Sequence, residues 1–375
     1  MTSLREIDGA DAAAVRDALP AALDGSSPLA LGFEPSAEDV VPAGTAVVIA
    51  TSGSSGIPKR VVLSAAALRA SAEATVPRLG SGQWMLALPA AYIAGVQVLA
   101  RSLLAGYEPV LLAGRFTVNS FVDATERMRD DVHRFTSFVP AQLATLLDAA
   151  ESRPEVRDAL ASYRAILVGG QALPEQQRMR AAAAGARIVR TYGSSETAGG
   201  CVYDGIPLDG VRLVEVDGEI RIGGLMLADG YLGDAERSEQ VFVTAPDGAR
   251  WYRTGDAGTI GDDGRLSITG RIDNVIVSGG INVSLDRVER IVRGVPGLEQ
   301  AVVVGMPDER WGEASVIFLA AGVGDVEEMF EQARALVSAE IGPHARPAQL
   351  EVSPELPTLA SGKPDREALR RMARD

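Results

Sequence analysis

The sequence has very little cysteine and no long apolar run. A single thiol, Cys201, excludes an internal disulfide framework. No uninterrupted apolar stretch approaches the roughly 20 residues that cross a bilayer. The charged N-terminal segment "MTSLREIDGADAAAVRDALP" also lacks the apolar core of a secretory leader. Together these absences predict a cytoplasmic protein that does not insert into a membrane.

Basic charge is also in short supply. The 375 residues carry 36 basic and 50 acidic side chains, which gives a formal net charge of −14. Nucleic acids and anionic membranes both bind basic surfaces, so we expect neither as the main partner. Histidine is rare too, with only His133 and His344 present. His133 precedes the strand pattern "RFTSF", and we expect a structural role for it.

Lysine is scarcer than arginine by a wide margin. Only Lys59 and Lys363 are lysines, and the other 34 of the 36 basic residues are arginines. A GC-rich genome would produce this bias and would leave lysine where a compact ammonium cannot be replaced by a planar guanidinium. A single lysine is usually a solvated surface charge. Both lysines, however, stand beside glycine and proline, in "SSGIPK" and "SGKPDR", which makes each a candidate for chemistry.

The first half of the chain has the sequence pattern of an α/β fold. Hydrophobic residues make up 46% of the chain and aromatics only 5%, so Ala, Val and Leu must fill the core. Between about residues 45 and 192, apolar strand patterns such as "TAVVIAT" and "RAILVGG" alternate with helical patterns such as "PAQLATLLDAA". Ser64 suits the N-cap of one such helix. The alternation predicts mainly parallel sheet layers covered by helices.

Two further segments with different sequence patterns follow along the chain. Between 205 and 271, short alternating strands are separated by Asp-Gly turns at 217–218, 247–248 and 263–264, which predicts a small antiparallel β unit. The remaining residues mix helical and strand patterns and predict a compact α+β module. At this length the chain suits one large domain and a smaller one. We therefore predict a large domain at 1–272 and a small, mobile domain at 273–375.

The segment "ATSGSSGIPKRVV" at 50–62 is either a flexible linker or a phosphate-binding loop. Glycines and small hydroxyl residues allow backbone N–H groups to converge on an anion, and a lysine at the end of the loop adds a cation. The spacing is not that of a Walker A loop, because Gly53 and Gly56 are followed by Pro58, Lys59 and Arg60. A buried strand pattern directly before the loop favours phosphate binding over a linker.

Five more motifs occur downstream in a fixed order: "GGQAL" (169–173), "TYGSSET" (191–197), "YRTGD" (252–256), "GRIDNVIVSGGINVSLDRVE" (270–289) and "PTLASGKPDR" (357–366). Together with "TSGSSGIPK", they resemble the motifs of the acyl-adenylate-forming (ANL) superfamily. This superfamily includes acyl-CoA ligases, peptide-synthetase adenylation domains and luciferases. The resemblance covers about residues 45–366, and it implies the ANL fold and a reaction that uses ATP, Mg²⁺ and CoA.

The resemblance implies an ATP site. Glu196 would hold Mg²⁺ as a hard oxygen ligand, Asp256 would accept hydrogen bonds from the ribose hydroxyls, and Tyr192 would pack against adenine. Arg271 would contact ribose and phosphate, and Ser195 stands where threonine is usual but keeps the hydroxyl. The ATP-binding residues implied in this way are Thr51, Ser52, Gly53, Ser54, Ser55, Gly56, Lys59, Gly169, Gly170, Gln171, Tyr192, Gly193, Ser194, Ser195, Asp256 and Arg271.

The resemblance also implies two reaction steps, adenylation and thioester formation, that use different residues. Lys363 and Glu196 are the implied catalytic residues, and the Lys363 ammonium would offset charge that develops during adenylation. Lys59 would accompany the β- and γ-phosphates. The C-terminal module would then rotate about Asp273 and bring Gly279 and Gly280 towards the acyl-adenylate for thioester formation.

The acyl pocket departs from the family pattern at one position. The pocket implied by the resemblance contains Tyr92, Gly95, Thr197 and Ala198. The family usually reads Pro-x-x-His with glycine three residues later, whereas "LPAAYIAG" (88–95) places Tyr92 at the histidine position. Loss of the histidine is expected to alter the acid accepted or to slow the thioester step. The ring and hydroxyl of Tyr92 would retain gating.

Within the superfamily, the chain resembles the compact actinobacterial 2-succinylbenzoate–CoA ligases of menaquinone biosynthesis. The abbreviated segment before the phosphate loop and the stretches "FTSFVPAQLATLLD" and "CVYDGIPLDGV" carry this resemblance. The expected substrate has a second carboxylate that needs a cation or several donors, and Arg101 is one candidate among many arginines.

Three alternatives stay open: a ligase for another aryl or medium-chain acid, an adenylating enzyme with an amine or carrier-protein acceptor, and a nucleotide-binding protein that has lost catalysis. A homodimer is one oligomeric state that the sequence leaves open.

Overall fold

The computed structural model describes residues 2–51, 59–322, 325–359 and 363–373. The chain divides into two compact units. Unit 1 comprises Met1–Val214, Arg221–Thr254 and Gly261–Leu266, and unit 2 comprises Glu215–Ile220, Gly255–Ile260 and Ser267–Asp375. The predicted boundary between residues 272 and 273 stays a prediction.

The helices have these bounds: α1 (Ala12–Leu23), α2 (Ala65–Glu73), α3 (Val76–Leu79), α4 (Ile93–Leu104), α5 (Val118–Glu126), α6 (Pro140–Ala150), α7 (Pro154–Ser162), α8 (Glu175–Ala183), α9 (Ala235–Val241), α10 (Leu285–Val292), α11 (Val326–Glu340) and α12 (Arg366–Met372). Two short 3₁₀ turns lie at Ser195–Thr197 and Pro343–Ala345.

The strands of the first half are β1 (Thr2–Ser3), β2 (Arg5–Ile7), β3 (Leu29–Leu31), β4 (Val40–Val41), β5 (Thr45–Thr51), β6 (Lys59–Ser64), β7 (Gln83–Leu86), β8 (Val110–Leu111), β9 (Arg134–Phe138), β10 (Ala165–Val168), β11 (Ile188–Ser194), β12 (Gly199–Tyr203) and β13 (Ile206–Pro207). Those of the second half are β14 (Arg212–Val216), β15 (Glu219–Gly223), β16 (Gly230–Tyr231), β17 (Phe242–Thr244), β18 (Arg250–Ile260), β19 (Leu266–Arg271), β20 (Val275–Ser278), β21 (Ile281–Ser284), β22 (Val302–Asp308), β23 (Gly312–Ala320) and β24 (Gln349–Ser353).

The larger sheet of unit 1 has the strand order β13-β12-β11-β10-β9-β7-β8. Its pairs from β11 to β8 are parallel, as the alternation of strand and helix patterns predicts. β12 and β13 extend the sheet in antiparallel fashion. On one side, α5, α6 and α7 pack together over a core in which the Phe121 ring contacts the rings of Phe138 and Tyr163.

A second sheet of unit 1, with the order β16-β6-β5-β3-β2, carries the segment that leads into the predicted phosphate loop. β2, β3 and β5 are parallel, whereas β6 pairs antiparallel with β5. The predicted cap is confirmed, because the Ser64 hydroxyl accepts a hydrogen bond from the Ala67 backbone N–H at 3.1 Å. The helix that follows ends at Glu73, earlier than its sequence pattern predicts.

The segment between 205 and 271 forms short strands, as predicted. Asp217 and Gly218 both have positive φ angles, 53° and 79°, so the Asp-Gly pair forms the type of turn that suits two antiparallel strands. Within unit 1, β17 pairs antiparallel with the first residues of β18, from Phe242 opposite Tyr252 to Thr244 opposite Arg250.

Unit 2 contains an α+β module, in agreement with the mixed helix and strand patterns of the residues after 271. Its sheet has the order β21-β20-β23-β22, and β24 pairs parallel with β23. Ile276, Val303 and Ile317 belong to one apolar cluster of this unit, and α10 and α11 pack against each other over it. Leu369 of α12 is fully buried in a second cluster with residues of β22 and β23. Among the described residues of both units, no helix is long and apolar enough to cross a membrane.

Candidate active site

The described ends of the predicted phosphate loop are Thr51 and Lys59. They are cross-strand partners at the last position of β5 and the first of β6, and the Thr51 hydroxyl donates to the Lys59 carbonyl at 3.3 Å. Ser52, Gly53, Ser54, Ser55 and Gly56 lie outside the described residues. The antiparallel pairing brings both ends of the loop to one edge of the sheet.

The "TYGSSET" motif ends β11 and turns sharply. Tyr192, Gly193 and Ser194 are the last residues of β11, and the 3₁₀ turn Ser195–Thr197 follows. The buried Thr197 hydroxyl closes this turn, because it accepts from the Ser194 N–H at 2.8 Å and lies 2.8 Å from the Gly199 carbonyl oxygen, to which it can donate. The structure therefore gives Thr197 a supporting role in the turn that presents Glu196.

The side chain of Ser194 is an exception to this internal hydrogen bonding. Its Oγ is buried and has no hydrogen-bond partner within the described part of the chain. Ala198, the next residue after the turn, has a left-handed backbone with φ of 49°. A buried hydroxyl without a protein partner next to a predicted phosphate site is a donor that a ligand can use.

Glu196 is buried, with 6% of its surface exposed. Its carboxylate Oε1 accepts a hydrogen bond of 2.9 Å from the Tyr231 hydroxyl, and its backbone carbonyl accepts from the Ala228 N–H at 2.8 Å. The Lys59 ammonium lies 5.6 Å from the centre of the Tyr231 ring, within the range of a cation–π contact. The structure thus gathers Lys59, Tyr231 and Glu196, three residues from three separate segments of unit 1.

Tyr231 is a functional candidate that no sequence pattern identified. It lies in β16, which pairs with β6, and this pairing places it close to Lys59. Burial, followed by the nearby Glu196 carboxylate, raises the pKa of Tyr231 well above the ordinary range. The hydroxyl therefore stays protonated at neutral pH and donates to Glu196. The short segment "DGY" (229–231) has no period or charge pattern that would have indicated this role.

Two predicted glycines are required by close packing. A Cβ added at Gly169 would lie 2.3 Å from Thr191 Oγ1, and one at Gly193 would lie 2.2 Å from the Gly199 carbonyl oxygen. Both distances are far below normal contact, so larger residues would displace β11 or β12. Gly170 follows with φ of 82°, and Gln171 with it forms the bend after β10. These residues keep the backbone near the "TYGSSET" motif compact.

The predicted acyl pocket begins at the N-terminus of α4. Tyr92 is the N-cap residue and is partly buried, and this burial raises the pKa of its hydroxyl. A Cβ on Gly95 would lie 2.2 Å from the Pro89 carbonyl oxygen, so only glycine allows the first turn of α4 to pack against "LPAAY". The ring of Tyr92 therefore occupies the predicted histidine position on a closely packed helix start.

Buried polar atoms without partners occur further along α4 and on β12. Arg101 is 7% exposed, has no carboxylate partner among the described residues, and lies over the Trp84 ring at 5.2 Å. Its Nε, the Tyr203 hydroxyl and Gln97 Oε1 are buried without hydrogen-bond partners in the described chain. Burial raises the pKa of Tyr203, and the Arg101 charge opposes that rise. Buried polar atoms without partners are uncommon in folded proteins, so these three side chains are of interest for the proposed function.

In unit 2, Arg271 connects two predicted site residues. Its guanidinium donates to both oxygens of Asp273 at 2.9 Å and to Asp256 Oδ1 at 3.2 Å. The Gly255 N–H before Asp256 donates to the buried Glu219 carboxylate at 3.2 Å. The structure therefore brings Asp256, Arg271 and the predicted hinge residue Asp273 into one charged group.

The other predicted residues of unit 2 lie on turns. Gly279 and Gly280 connect β20 to β21 with positive φ angles of 58° and 80°, and the Gly279 N–H donates to the Trp311 carbonyl at 2.8 Å. Lys363 is exposed, and its backbone carbonyl accepts from the Leu359 N–H at 2.8 Å. Backbone hydrogen bonds thus hold Gly279 and Lys363, each within the described part of its segment.

The residues present suit a magnesium ion that is held mainly by phosphate. Within residues 2–51, 59–322, 325–359 and 363–373, no group of three His, Cys, Asp or Glu side chains could enclose a metal. Mg²⁺ bound with a nucleotide needs only one or two carboxylates, because phosphate oxygens and water supply the other ligands. The buried carboxylate of Glu196 fits this kind of site.

Comparison with known families and proteins places this geometry in context. Residues 4–232 match the model of the AMP-binding enzyme family, and residues 287–363 match that of the AMP-binding enzyme C-terminal domain. A probable 2-succinylbenzoate–CoA ligase of Mycobacterium tuberculosis is 40% identical, over 98% of this chain and 97% of that protein. A 2-succinylbenzoate–CoA ligase of Listeria monocytogenes is 30% identical over 87% of this chain and 69% of its own.

Solved structures give the same result. The o-succinylbenzoate CoA synthetase (MenE) of Bacillus subtilis, in complex with the acyl-adenylate intermediate OSB-AMP, is similar with a TM-score of 0.74. It has 26% identity and covers 95% of this chain and 81% of its own. The amide bond synthetase McbA of Marinactinospora thermotolerans has a TM-score of 0.75 at 26% identity, with coverage of 97% and 83%. The resemblance stated from the motifs is confirmed, and the chain belongs to the AMP-binding enzyme family.

Proposed function

We propose that this protein is an ATP-dependent acid–CoA ligase that acts through an acyl-adenylate. The observation that carries the proposal is the grouping of Lys59 and Glu196 around Tyr231, with a cation and a buried carboxylate where the sequence predicts phosphate and Mg²⁺. A relative named as a probable 2-succinylbenzoate–CoA ligase, which aligns over 98% of this chain, supports it. Its location in the cytoplasm and its pairing as a homodimer stay predictions.

In the first step, a carboxylate oxygen of the acid attacks the α-phosphorus of ATP. The bond from that phosphorus to the bridging oxygen breaks, and pyrophosphate leaves. Lys363 supplies an ammonium that offsets charge as it develops, and Lys59 accompanies the leaving phosphates. Asp256 accepts hydrogen bonds from the ribose. Glu196 would hold Mg²⁺ through a carboxylate oxygen, and the bound ion would supply positive charge that offsets the charge of the phosphates.

In the second step, the sulfur of CoA attacks the acyl carbon of the adenylate. The bond between that carbon and the phosphate oxygen breaks, AMP leaves, and the thiol proton passes to solvent. Gly279 and Gly280, at a turn without side chains, would allow the chain of CoA to approach closely. The use of Mg²⁺ and of CoA by this protein belongs to the proposal.

The proposed acid is 2-succinylbenzoate, which has one carboxylate to activate and a second to bind. The second carboxylate needs a cation, and Arg101 is a nearly buried cation with no carboxylate partner among the described residues. An unpaired buried charge is costly, so a substrate carboxylate would pair with it favourably. The unpartnered Tyr203 hydroxyl could donate a further hydrogen bond to the same group.

A second candidate differs in the acceptor of the acyl group. The similarity to a protein named as an amide bond synthetase favours an amine as an alternative to CoA. The two candidates share the adenylation step and diverge only after it. CoA-dependent release of AMP therefore separates them.

The decisive experiment measures ATP–pyrophosphate exchange over a panel of acids. The panel contains 2-succinylbenzoate, benzoate, anthranilate and medium-chain acids, and the product formed with CoA is identified by mass spectrometry. We expect exchange with 2-succinylbenzoate well above the other acids and a thioester product. Exchange only with another acid would overturn the assignment of 2-succinylbenzoate as the substrate. An amide product without a thioester would overturn the assignment of CoA as the acceptor.

A further inference from the structure

The loop that carries Lys363 is closed at its base. Within the described residues, the Leu359 N–H donates to the Lys363 carbonyl and the Asp365 N–H donates to the Pro357 carbonyl, both at 2.8 Å. Thr358 and Pro364 form an isolated antiparallel bridge. These contacts connect Leu359 and Lys363 to the residues that lead directly into α12.

The start of α12 is attached to the body of unit 2. The Asp365 carboxylate caps the helix and accepts from the Ala368 N–H at 2.9 Å. Arg366, the first helical residue, donates from Nη2 to Glu289 Oε2 at 2.8 Å and from Nη1 to the Val303 carbonyl. One guanidinium thus contacts both α10 and β22.

The Glu289 carboxylate that pairs with Arg366 is held by other contacts of its own. It is 7% exposed, and its Oε2 also accepts from the Val303 N–H at 2.9 Å. Its other oxygen pairs with Arg293 at 3.0 Å. Two contacts, one to each oxygen, therefore hold the carboxylate before α12 is considered, and they restrict the position in which it meets Arg366.

The pair between Arg366 and Glu289 is partly buried, with 28% of the arginine side chain and 9% of the glutamate side chain exposed. Burying charged groups costs free energy, and replacing a buried ion pair with apolar residues is often neutral or stabilising. Leu369 already anchors α12 in the apolar cluster of β22 and β23. Apolar packing is not directional, whereas a guanidinium with two directed hydrogen bonds fixes orientation.

We propose that Arg366 is a positioning residue for Lys363, acting through the fixed start of α12. Arg366 stands three residues after Lys363, so the orientation of the helix start sets where the lysine backbone lies. Arg370, on the same helix, pairs instead with the exposed Glu367 and contacts neither α10 nor β22 through a hydrogen bond. The proposal rests on the proposed role of Lys363 in adenylation.

The test compares Arg366→Gln with the matched control Arg370→Gln in the full-length chain. Each half-reaction is assayed alone: ATP–pyrophosphate exchange for adenylation, and thioester formation from supplied acyl-adenylate and CoA. For Arg366→Gln we expect a loss of about 100-fold in the exchange rate, since a displacement near 1 Å costs about that much. The KM for ATP, the thioester step and the control should stay near wild type.

Two further variants make the outcome specific to positioning. Arg366→Lys keeps the charge beside Glu289 but lacks the fork that also reaches Val303, so it should lose less exchange activity than Arg366→Gln. If Arg366 acts through Lys363, the double variant Lys363→Ala with Arg366→Gln should be no slower than Lys363→Ala alone, because the two changes are not independent. Arg366→Lys also serves as the test should Arg366→Gln fail to fold.

Several results would overturn the proposal. They are unchanged exchange in Arg366→Gln, an equal loss in both half-reactions, or a double variant that is slower than Lys363→Ala. If Lys363→Ala itself exchanges at the wild-type rate, the proposed role of Lys363 fails first and this inference with it. A loss in Lys363→Ala alone leaves the proposed function intact and rejects only the role of Arg366.

Discussion

The Tyr231 hydroxyl donates a 2.9 Å hydrogen bond to the buried carboxylate of Glu196. The bond engages one carboxylate oxygen, and a carboxylate has a second oxygen that can bind a metal. Because the same tyrosine ring lies beneath the Lys59 ammonium, one side chain contacts both of the residues that the sequence assigns to phosphate and metal. We therefore expect Tyr231 to organise the candidate site through these two contacts, without touching a substrate.

Tyr231→Phe should weaken the use of Mg²⁺ while preserving the fold. The change removes one hydrogen bond to a buried charged group, which contributes about 1.5–3 kcal/mol. We expect the Mg²⁺ concentration for half-maximal ATP–pyrophosphate exchange to rise by about tenfold. Tyr107→Phe, which removes a phenol elsewhere in unit 1, is the control. An unchanged Mg²⁺ requirement in Tyr231→Phe would contradict the organising role.

Asp256→Ala should weaken ATP binding. The expected reason is the loss of a carboxylate that accepts hydrogen bonds from ribose, together with the release of the Arg271 contact seen at 3.2 Å. Hydrogen bonds to charged groups contribute about 1.5–3 kcal/mol, so we expect their loss to raise the Kd for ATP by about 10-fold or more. Calorimetric titration with ATP measures the Kd, and Asp263→Ala in the turn that follows β18 is the control. Loss of affinity for ATP but not for 2′,3′-dideoxy-ATP would trace the effect to the ribose, and equal affinities for ATP in variant and wild type would count against the assignment.

Arg101→Met should change which acids are accepted. The methionine keeps a long apolar side chain against Trp84 but removes the charge that would pair with a second carboxylate. We expect kcat/KM for 2-succinylbenzoate to fall by about 100-fold, in line with the loss of a buried charge pair. The value for benzoate, which has no second carboxylate, should change little. Arg129→Met, which breaks a surface ion pair, is the control, and a parallel fall for both acids would refute the pairing.

The stability of the protein should fall in alkaline solution because of Cys201. Burial raises the pKa of this thiol to about 12. An unfolded chain loses the proton near pH 8.5, whereas the folded chain keeps it, so the stabilising contribution is complete below that pH and is lost as the pH rises towards 12. We expect this group alone to lower the free energy of unfolding by about 1.4 kcal/mol per pH unit in that window. Chemical denaturation of wild type and Cys201→Ala between pH 8 and 11 measures the difference in slope, and equal slopes would contradict it.

Local patterns predicted much of the architecture. Alternating strand and helix patterns led to the parallel part of the large sheet, and Ser64 caps its helix as expected. The Asp-Gly pair at 217–218 adopts the predicted turn. These features depend on residues that are near neighbours in the chain, and hydrophobic period, capping and turn chemistry act over that distance.

Other features could not be derived in this way. The antiparallel extension by β12 and β13, the early end of α2 and the short β8 reflect how strands are completed by partners from other segments. Propensity is a weak guide there, because tertiary packing decides where an element stops.

The sequence by itself determined the family, the motifs and the two lysines that stand in predicted loops. Only the tertiary structure decided which side chains support them. Tyr231 beside Glu196 and Arg366 beside Glu289 join segments that are far apart in the chain. Such contacts depend on strand order and helix packing, which no local period of the sequence encodes. A motif predicts the chemistry that a residue brings, and the fold supplies the partner that holds the residue in place.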